Sequence, residues 1–140
     1  RSLISVNAGR MDGVMVGMAV TVDGNVLLGK IIETSEDQSV VQTIFDNKFS
    51  LPVRIGSAEI DSLLVGGWEP RLTLIEKNRD LSSGDVIYAA SREFPYGLKV
   101  GTVGQVNDSS VTSFLEASMN FIYQLKELKE AAILTDYVPH

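Results

Sequence analysis

Leu81-Ser82-Ser83-Gly84-Asp85-Val86-Ile87-Tyr88-Ala89-Ala90-Ser91-Arg92-Glu93-Phe94-Pro95-Tyr96-Gly97-Leu98-Lys99-Val100-Gly101-Thr102-Val103 decides the fold class. Gly84-Asp85 signals a turn, because glycine tolerates positive φ and an aspartate side chain bonds its own backbone. Val86 to Ala90 follows as a short strand. Phe94-Pro95-Tyr96-Gly97 is a second turn, in which Pro95 sets φ and Gly97 supplies the permissive position. Leu98, Val100 and Val103 open another strand, interrupted at Gly101. The segment contains no nucleophile–base pair and reads as architecture.

The rest of the chain repeats this texture. Val14 to Val22, Asn25 to Thr34, Ser39 to Phe45, Leu51 to Ile55, Ala58 to Val65 and Trp68 to Ile75 read as strands. Turn signals separate them at about ten-residue spacing, the mark of a sandwich or barrel. Gly29 interrupts its strand and predicts a bulge or a close backbone approach. A faint internal repeat is present. Gly17-Met18-Ala19-Val20, then Gly24 to Ile31 with Gly29 inside, matches Gly84-Asp85-Val86-Ile87, then Gly97 to Val103 with Gly101 inside. Two similar small β units account for it, as does chance recurrence of abundant Gly and Val.

Near the end, Leu115, Ala117, Met119 and Phe121 alternate as in a strand. Phe121, Leu125 and Leu128 then share one helical face, with Lys126, Glu127, Lys129 and Glu130 outside. This predicts a strand to about Phe121, a helix of two to three turns to about Glu130, and a closing strand from Ala131 to Val138. A helix starting near Ser113 is the other reading. The expected fold is all-β: two small six-stranded barrel-like units with one short helix near the C-terminus. The units are residues 1–68 and 69–140, and the C-terminal strand packs back on the first.

Composition limits the function. The 140 residues are 44% hydrophobic and 21% charged, and the mean hydropathy of +0.12 is high for a soluble monomer and hints at a partner surface. The net charge is −6 and the pI about 4.7. No basic stripe is present to displace counterions from nucleic acid, and anionic membrane surfaces are disfavoured on the same ground. The longest uncharged run, Gly13 to Val22, is ten residues. A spanning helix needs about 20. Arg1-Ser2-Leu3 reads as a trimmed start rather than a signal peptide. Asn107-Asp108-Ser109 fits the N-glycosylation pattern, a match without weight in a turn.

Catalysis fails on inventory. The chain has no cysteine, and His140, its last residue, is its single histidine. Neither a Ser-His-Asp nor a Cys-His arrangement can be built from it. A zinc site would rest on carboxylates alone, which is unusual. No cofactor and no metal are expected. Glu36-Asp37 reads as a solvated loop, Asp46-Asn47 and Asp85 as turn braces, and Glu59 and Asp61 as the solvent face of a strand. Among the aromatics Trp68, Phe94, Tyr96, Phe121, Tyr123 and Tyr137, core packing is the general reading. Phe94 and Tyr96 stand apart, because they flank Pro95 in a loop, where aromatics make binding anchors. Tyr123 lies off the apolar stripe of the expected helix. Phe94, Tyr96 and Tyr123 are therefore the candidate partner-binding residues.

The order of these motifs resembles a known family, the rod shape-determining protein MreC. Its signature is roughly GD-x-V-x-T-S-G, a loop, then F-P-x-G-L-x-V-G-x-V. Gly84-Asp85-Val86-Ile87 and Phe94-Pro95-Tyr96-Gly97-Leu98-Lys99-Val100-Gly101-Thr102-Val103 are similar to it. Ala89-Ala90-Ser91 departs from the usual Thr-Ser-Gly. Gly13-Val14, Gly17-Met18 and Val20, then Gly24 to Ile31, Val40 to Asp46, Leu51 to Ile55 and Leu63 to Gly66 follow in the family's order. The resemblance covers nearly the whole chain. It implies the extracytoplasmic β domain of a non-enzymatic scaffold of the bacterial cell-elongation machinery. Such a scaffold maintains rod shape by self-associating and by binding and regulating penicillin-binding transpeptidases that make peptidoglycan, alongside other cell-elongation membrane proteins. It also implies a periplasmic or outer-face location, with the membrane reached only through an anchor outside these 140 residues. The other class of function considered is a secreted glycan-binding or hydrolytic β domain.

Overall fold

The computed structural model describes residues 1–108 and 111–140. The Asn107-Asp108-Ser109 pattern and the end of the turn expected through Ser110 lie partly outside the described residues. Eleven strands are present among the described residues: β1 (Leu3–Val6), β2 (Ala19–Val22), β3 (Val26–Thr34), β4 (Ser39–Thr43), β5 (Ser50–Ile55), β6 (Ile60–Val65), β7 (Arg71–Glu76), β8 (Val86–Ala89), β9 (Lys99–Asn107), β10 (Phe114–Asn120) and β11 (Ala132–Ile133).

Six of them close on themselves. The order β9-β10-β7-β6-β5-β8 returns to β9 through the antiparallel β8–β9 pairing. Alternation explains the closure. Leu51, Val53 and Ile55 of β5, Ile60 and Leu64 of β6, and Leu115, Ala117 and Met119 of β10 point inward, and their neighbours face solvent. A period of two with one apolar side is what a barrel wall requires. Phe49, Leu72, Ile75, Ile87, Val100 and Val103 complete this core.

The remaining five strands run β1-β4-β3-β2-β11, joined to the barrel by one parallel bridge, Val26 to Lys99. Where two six-stranded barrel-like units were expected, one is thus a five-stranded sheet, built mainly from the first expected unit, residues 1–68. Val14, Met18, Val20, Val22, Leu28, Ile31 and Val41 form its core. The closing strand expected from Ala131 to Val138 is reduced to Ala132–Ile133, which pair with Thr21 and Val20 of β2. Residue 68, the expected boundary between units, lies in the connection from β6 to β7, which are adjacent members of the closed ring.

The terminal helix is not there. Residues 125–127 make a single 3-10 turn, flanked by extended Gln124 and Leu128. Packing overrides helical periodicity at this point. Phe121 and Tyr123 place their rings 5.1 and 6.2 Å from that of Phe45 and 5.8 Å from one another. Residues two apart share a side only in extended backbone. Phe45 and Phe121 touch both cores, so this aromatic triad joins the barrel to the sheet. The strand expected over Val14 to Val22 starts only at Ala19, because the backbone turns at Gly17, whose N–H donates to Ile31 O at 2.7 Å. β1 carries no sequence signal beyond Leu3-Ile4-Ser5-Val6 and was not expected.

The internal repeat has a structural counterpart. Gly17 N donates to Ile31 O and Ile31 N to Met18 O, at 2.7 and 2.9 Å. Gly84 N donates to Val103 O and Val103 N to Asp85 O, at 2.7 and 2.8 Å. Gly29 and Gly101 occupy matching places in β3 and β9, each beside a register shift. Neither has positive φ; close approach requires them. A Cβ on Gly101 would lie 2.7 Å from Asn120 O, and one on Gly29 would strike Gln42 O and lie 2.8 Å from Thr43 Cα.

Candidate functional site

The β8–β9 loop is held at both ends. Ala89 N donates to Leu98 O at 2.8 Å, and Glu93 N donates to Ser91 Oγ at 3.2 Å. Phe94, expected to be exposed, is buried to 2% in the barrel core. A closed barrel has an open end to plug, and the loop supplies Phe94 for it. With Phe94 pointing in and Gly97 at φ +82°, Tyr96 is thrown outward, 88% exposed.

Tyr96 overhangs a concavity of about 510 Å³. Tyr88, Tyr137, Arg54, Arg92 and Glu59 share its lining. Tyr96 Oη lies 3.4 Å from Glu59 Oε1, and Tyr137 Oη donates to Arg92 O at 3.0 Å. Arg54 pairs with Asp61 at 3.3 Å. Three phenol rings and two guanidinium groups suit contact with a protein surface, where Tyr and Arg dominate binding energy. Sequence reasoning found Tyr96. It missed Arg92 in the same loop, and Arg54 and Tyr137, which come from distant segments and share no motif.

Tyr123 is placed differently. It is buried, and its hydroxyl donates to Leu27 O at 3.0 Å. Burial pushes its phenol well above the usual value. The ring belongs to the aromatic triad, so its side chain is not offered to a partner here. Of Phe94, Tyr96 and Tyr123, only Tyr96 presents its ring to solvent. Trp68, read as core, is instead 92% exposed.

The carboxylates act as braces. Asp85 accepts from Ser82 N at 2.9 Å. Asp46 is fully buried and accepts from Arg1 Nε at 2.8 Å, Ser2 N at 2.7 Å and Gln42 Nε2 at 2.8 Å. Desolvation alone would raise its pKa, but these donors together outweigh it and hold the carboxyl well below the usual range. The buried charge ties the chain start to the β4–β5 connection. Among the described residues no three His, Cys, Asp or Glu side chains gather as a metal site.

A family model described as "Rod shape-determining protein MreC, barrel core" matches residues 1–135. The chain belongs to the MreC family. The cell shape-determining protein MreC of Haemophilus influenzae is 27% identical over 139 residues, covering 96% of this chain and 39% of that protein. This chain therefore spans well under half of that relative. The crystal structure of MreC from Pseudomonas aeruginosa is similar with a TM-score of 0.72 at 27% identity, over 84% of this chain and 79% of the other. A complex between penicillin-binding protein PBP2 and MreC from Helicobacter pylori contains a chain with the same fold. Its TM-score is 0.65 at 17% identity, over 82% of this chain and 74% of that one. The match of this MreC-family chain spans both the closed barrel and the five-stranded sheet, and the β8–β9 loop carrying Phe94 and Tyr96 lies inside it.

Proposed function

We propose that this chain is the extracytoplasmic β module of a non-enzymatic scaffold in the bacterial cell-elongation machinery. It self-associates and binds penicillin-binding transpeptidases, regulating peptidoglycan synthesis so that rod shape is maintained. The match of residues 1–135 to the MreC barrel core carries the proposal. The complex of a relative with PBP2 supports the partner class. An anchor outside these 140 residues holds the module at the outer face of the cytoplasmic membrane; no helix among the described residues is long and apolar enough to cross.

The surface chemistry agrees with this role. Tyr96, Tyr88, Tyr137, Arg54 and Arg92 form the partner-facing concavity. β1 and β11 are each paired on one side only, which leaves backbone groups for self-association by strand addition. Tyr96→Ser should weaken capture of the cognate transpeptidase ectodomain, read by surface plasmon resonance, with unfolding unchanged. Undiminished capture would remove Tyr96 from the interface. The purified chain should not cleave casein, nitrophenyl esters or peptidoglycan. Turnover that survives repurification and disappears with one carboxylate would overturn the non-enzymatic reading.

A further inference from the structure

Trp68 is the chain's one tryptophan, and it is 92% exposed. Its exposure is imposed by rigid backbone. Gly66 N donates to Phe49 O at 2.8 Å, and Gly66 is wedged so tightly that a Cβ would lie 2.6 Å from Ile44 O and strike Asp46 O. Pro70, two residues beyond Trp68, is buried. The connection is pinned on both sides, and the indole stands out from it.

Two concavities meet at this ring. One, of about 530 Å³, is lined by Asn107, Thr112, Phe114 and Glu116. The other, of about 600 Å³, is lined by Phe45 and Leu125 as well as by Ser2, Asn47, Gln124 and Lys126. Trp68 is common to both linings. Each volume lies within the range of about 300–1,000 Å³ usual for small-ligand sites. The side-chain amides of Asn47, Asn107 and Gln124 have no internal hydrogen-bond partner among the described residues. Glu116 is paired with Arg71 at 3.4 Å.

We propose that Trp68 is the central platform of a groove that binds an oligosaccharide chain across both concavities. A β-linked pyranose presents a flat face of axial C–H bonds, which stacks on an indole. Its equatorial hydroxyls project sideways, where Asn47 and Gln124 on one side and Asn107 and Thr112 on the other offer donors and acceptors. Around Trp68 the amides, hydroxyls and charges alternate with the apolar Phe45, Leu125 and Phe114, so a sugar finds both stacking and polar partners. An extended peptide needs a free strand edge. β6, β7 and β10 beside Trp68 are hydrogen-bonded on both sides and have none.

The test uses the single tryptophan as its own reporter. The probe is the β-1,4-linked tetramer of N-acetylglucosamine, titrated into the whole chain while Trp68 emission is followed. The expected result is a saturable blue shift, with the tetramer binding at least about tenfold tighter than the monomer. Trp68→Ala should abolish the tetramer's NMR saturation transfer. Asn47→Ala and Asn107→Ala should each weaken binding several-fold, with unfolding midpoints unchanged in all three. Tyr96→Ser should bind the sugar normally, which separates this groove from the transpeptidase surface. No saturable change at sugar concentrations reaching about 10 mM would overturn the proposal, because little binding energy remains there. Equal affinity for monomer and tetramer would overturn the two-sided groove. A Trp68 signal that answers a transpeptidase and not the sugar would assign the platform to a protein instead.

Discussion

Phe94 and Tyr96 are two residues apart in one loop, yet truncating them should have opposite consequences. Phe94 is 2% exposed and plugs the barrel core; Tyr96 is 88% exposed, with one long contact to Glu59. Phe94→Ala removes a full ring from a closed barrel whose strands cannot collapse inward without breaking their pairing. Such truncations cost about 3–5 kcal/mol. Against a total stability of about 5–15 kcal/mol, that is a large fraction. At roughly 3–4 °C per kcal/mol for a chain of this size, the midpoint should fall by about 10–20 °C. Tyr96→Ala should change stability by less than about 0.5 kcal/mol. Urea unfolding followed by far-UV circular dichroism measures both, with the slope checked for two-state behaviour. A Phe94→Ala cost under about 1 kcal/mol would mean the loop does not seal the barrel. A Tyr96→Ala cost above that value would mean Tyr96 is structural, and its assignment to the partner surface would fail.

Gly29→Val and Gly101→Val should each destabilise by at least about 1–3 kcal/mol through overpacking against backbone that cannot yield, read as lowered urea midpoints. Asp46 gives a pH dependence with a defined sign. Its carboxyl is held below its unfolded value, so its contribution is present at neutral pH and is lost as pH falls below about 4. Asp46→Asn should lower stability at pH 7 and flatten the acid limb of a stability–pH curve; an unchanged limb would refute the buried network. A fragment of residues 69–140 holds four of the six barrel strands, lacking β5 and β6. It should remain unfolded by circular dichroism, whereas a fragment with cooperative unfolding would show that the second half folds alone.

Much of this fold was legible locally. Alternation in Leu51 to Ile55, Ile60 to Val65 and Leu115 to Met119, with Gly and Asp turns between, marks strands because the period of two is a property of the backbone itself. Gly29 and Gly101 were legible as points of close approach, and the Gly84-Asp85 to Val103 signature as strand, loop, strand. The site was less legible. Tyr96 was found from its loop, but Phe94 and Trp68 came out reversed. Exposure depends on which side of a connection faces the core, and nothing within five residues specifies that.

The sequence by itself determined the strand content, the turn positions, an inventory without cysteine and with His140 as its single histidine, and the family. Tertiary structure alone decided that six strands close and five do not, because closure depends on whether β8 meets β9 across residues that alternate equally well elsewhere. It also decided that Phe121 and Tyr123 stay extended. Their affinity for Phe45, some 75 residues away in the chain, outweighs a helical period that only local residues support. Placing Tyr96 beside Arg54 and Tyr137, and raising Trp68 above two grooves, required distant segments to meet. Contacts between residues far apart in sequence leave no periodic trace in it.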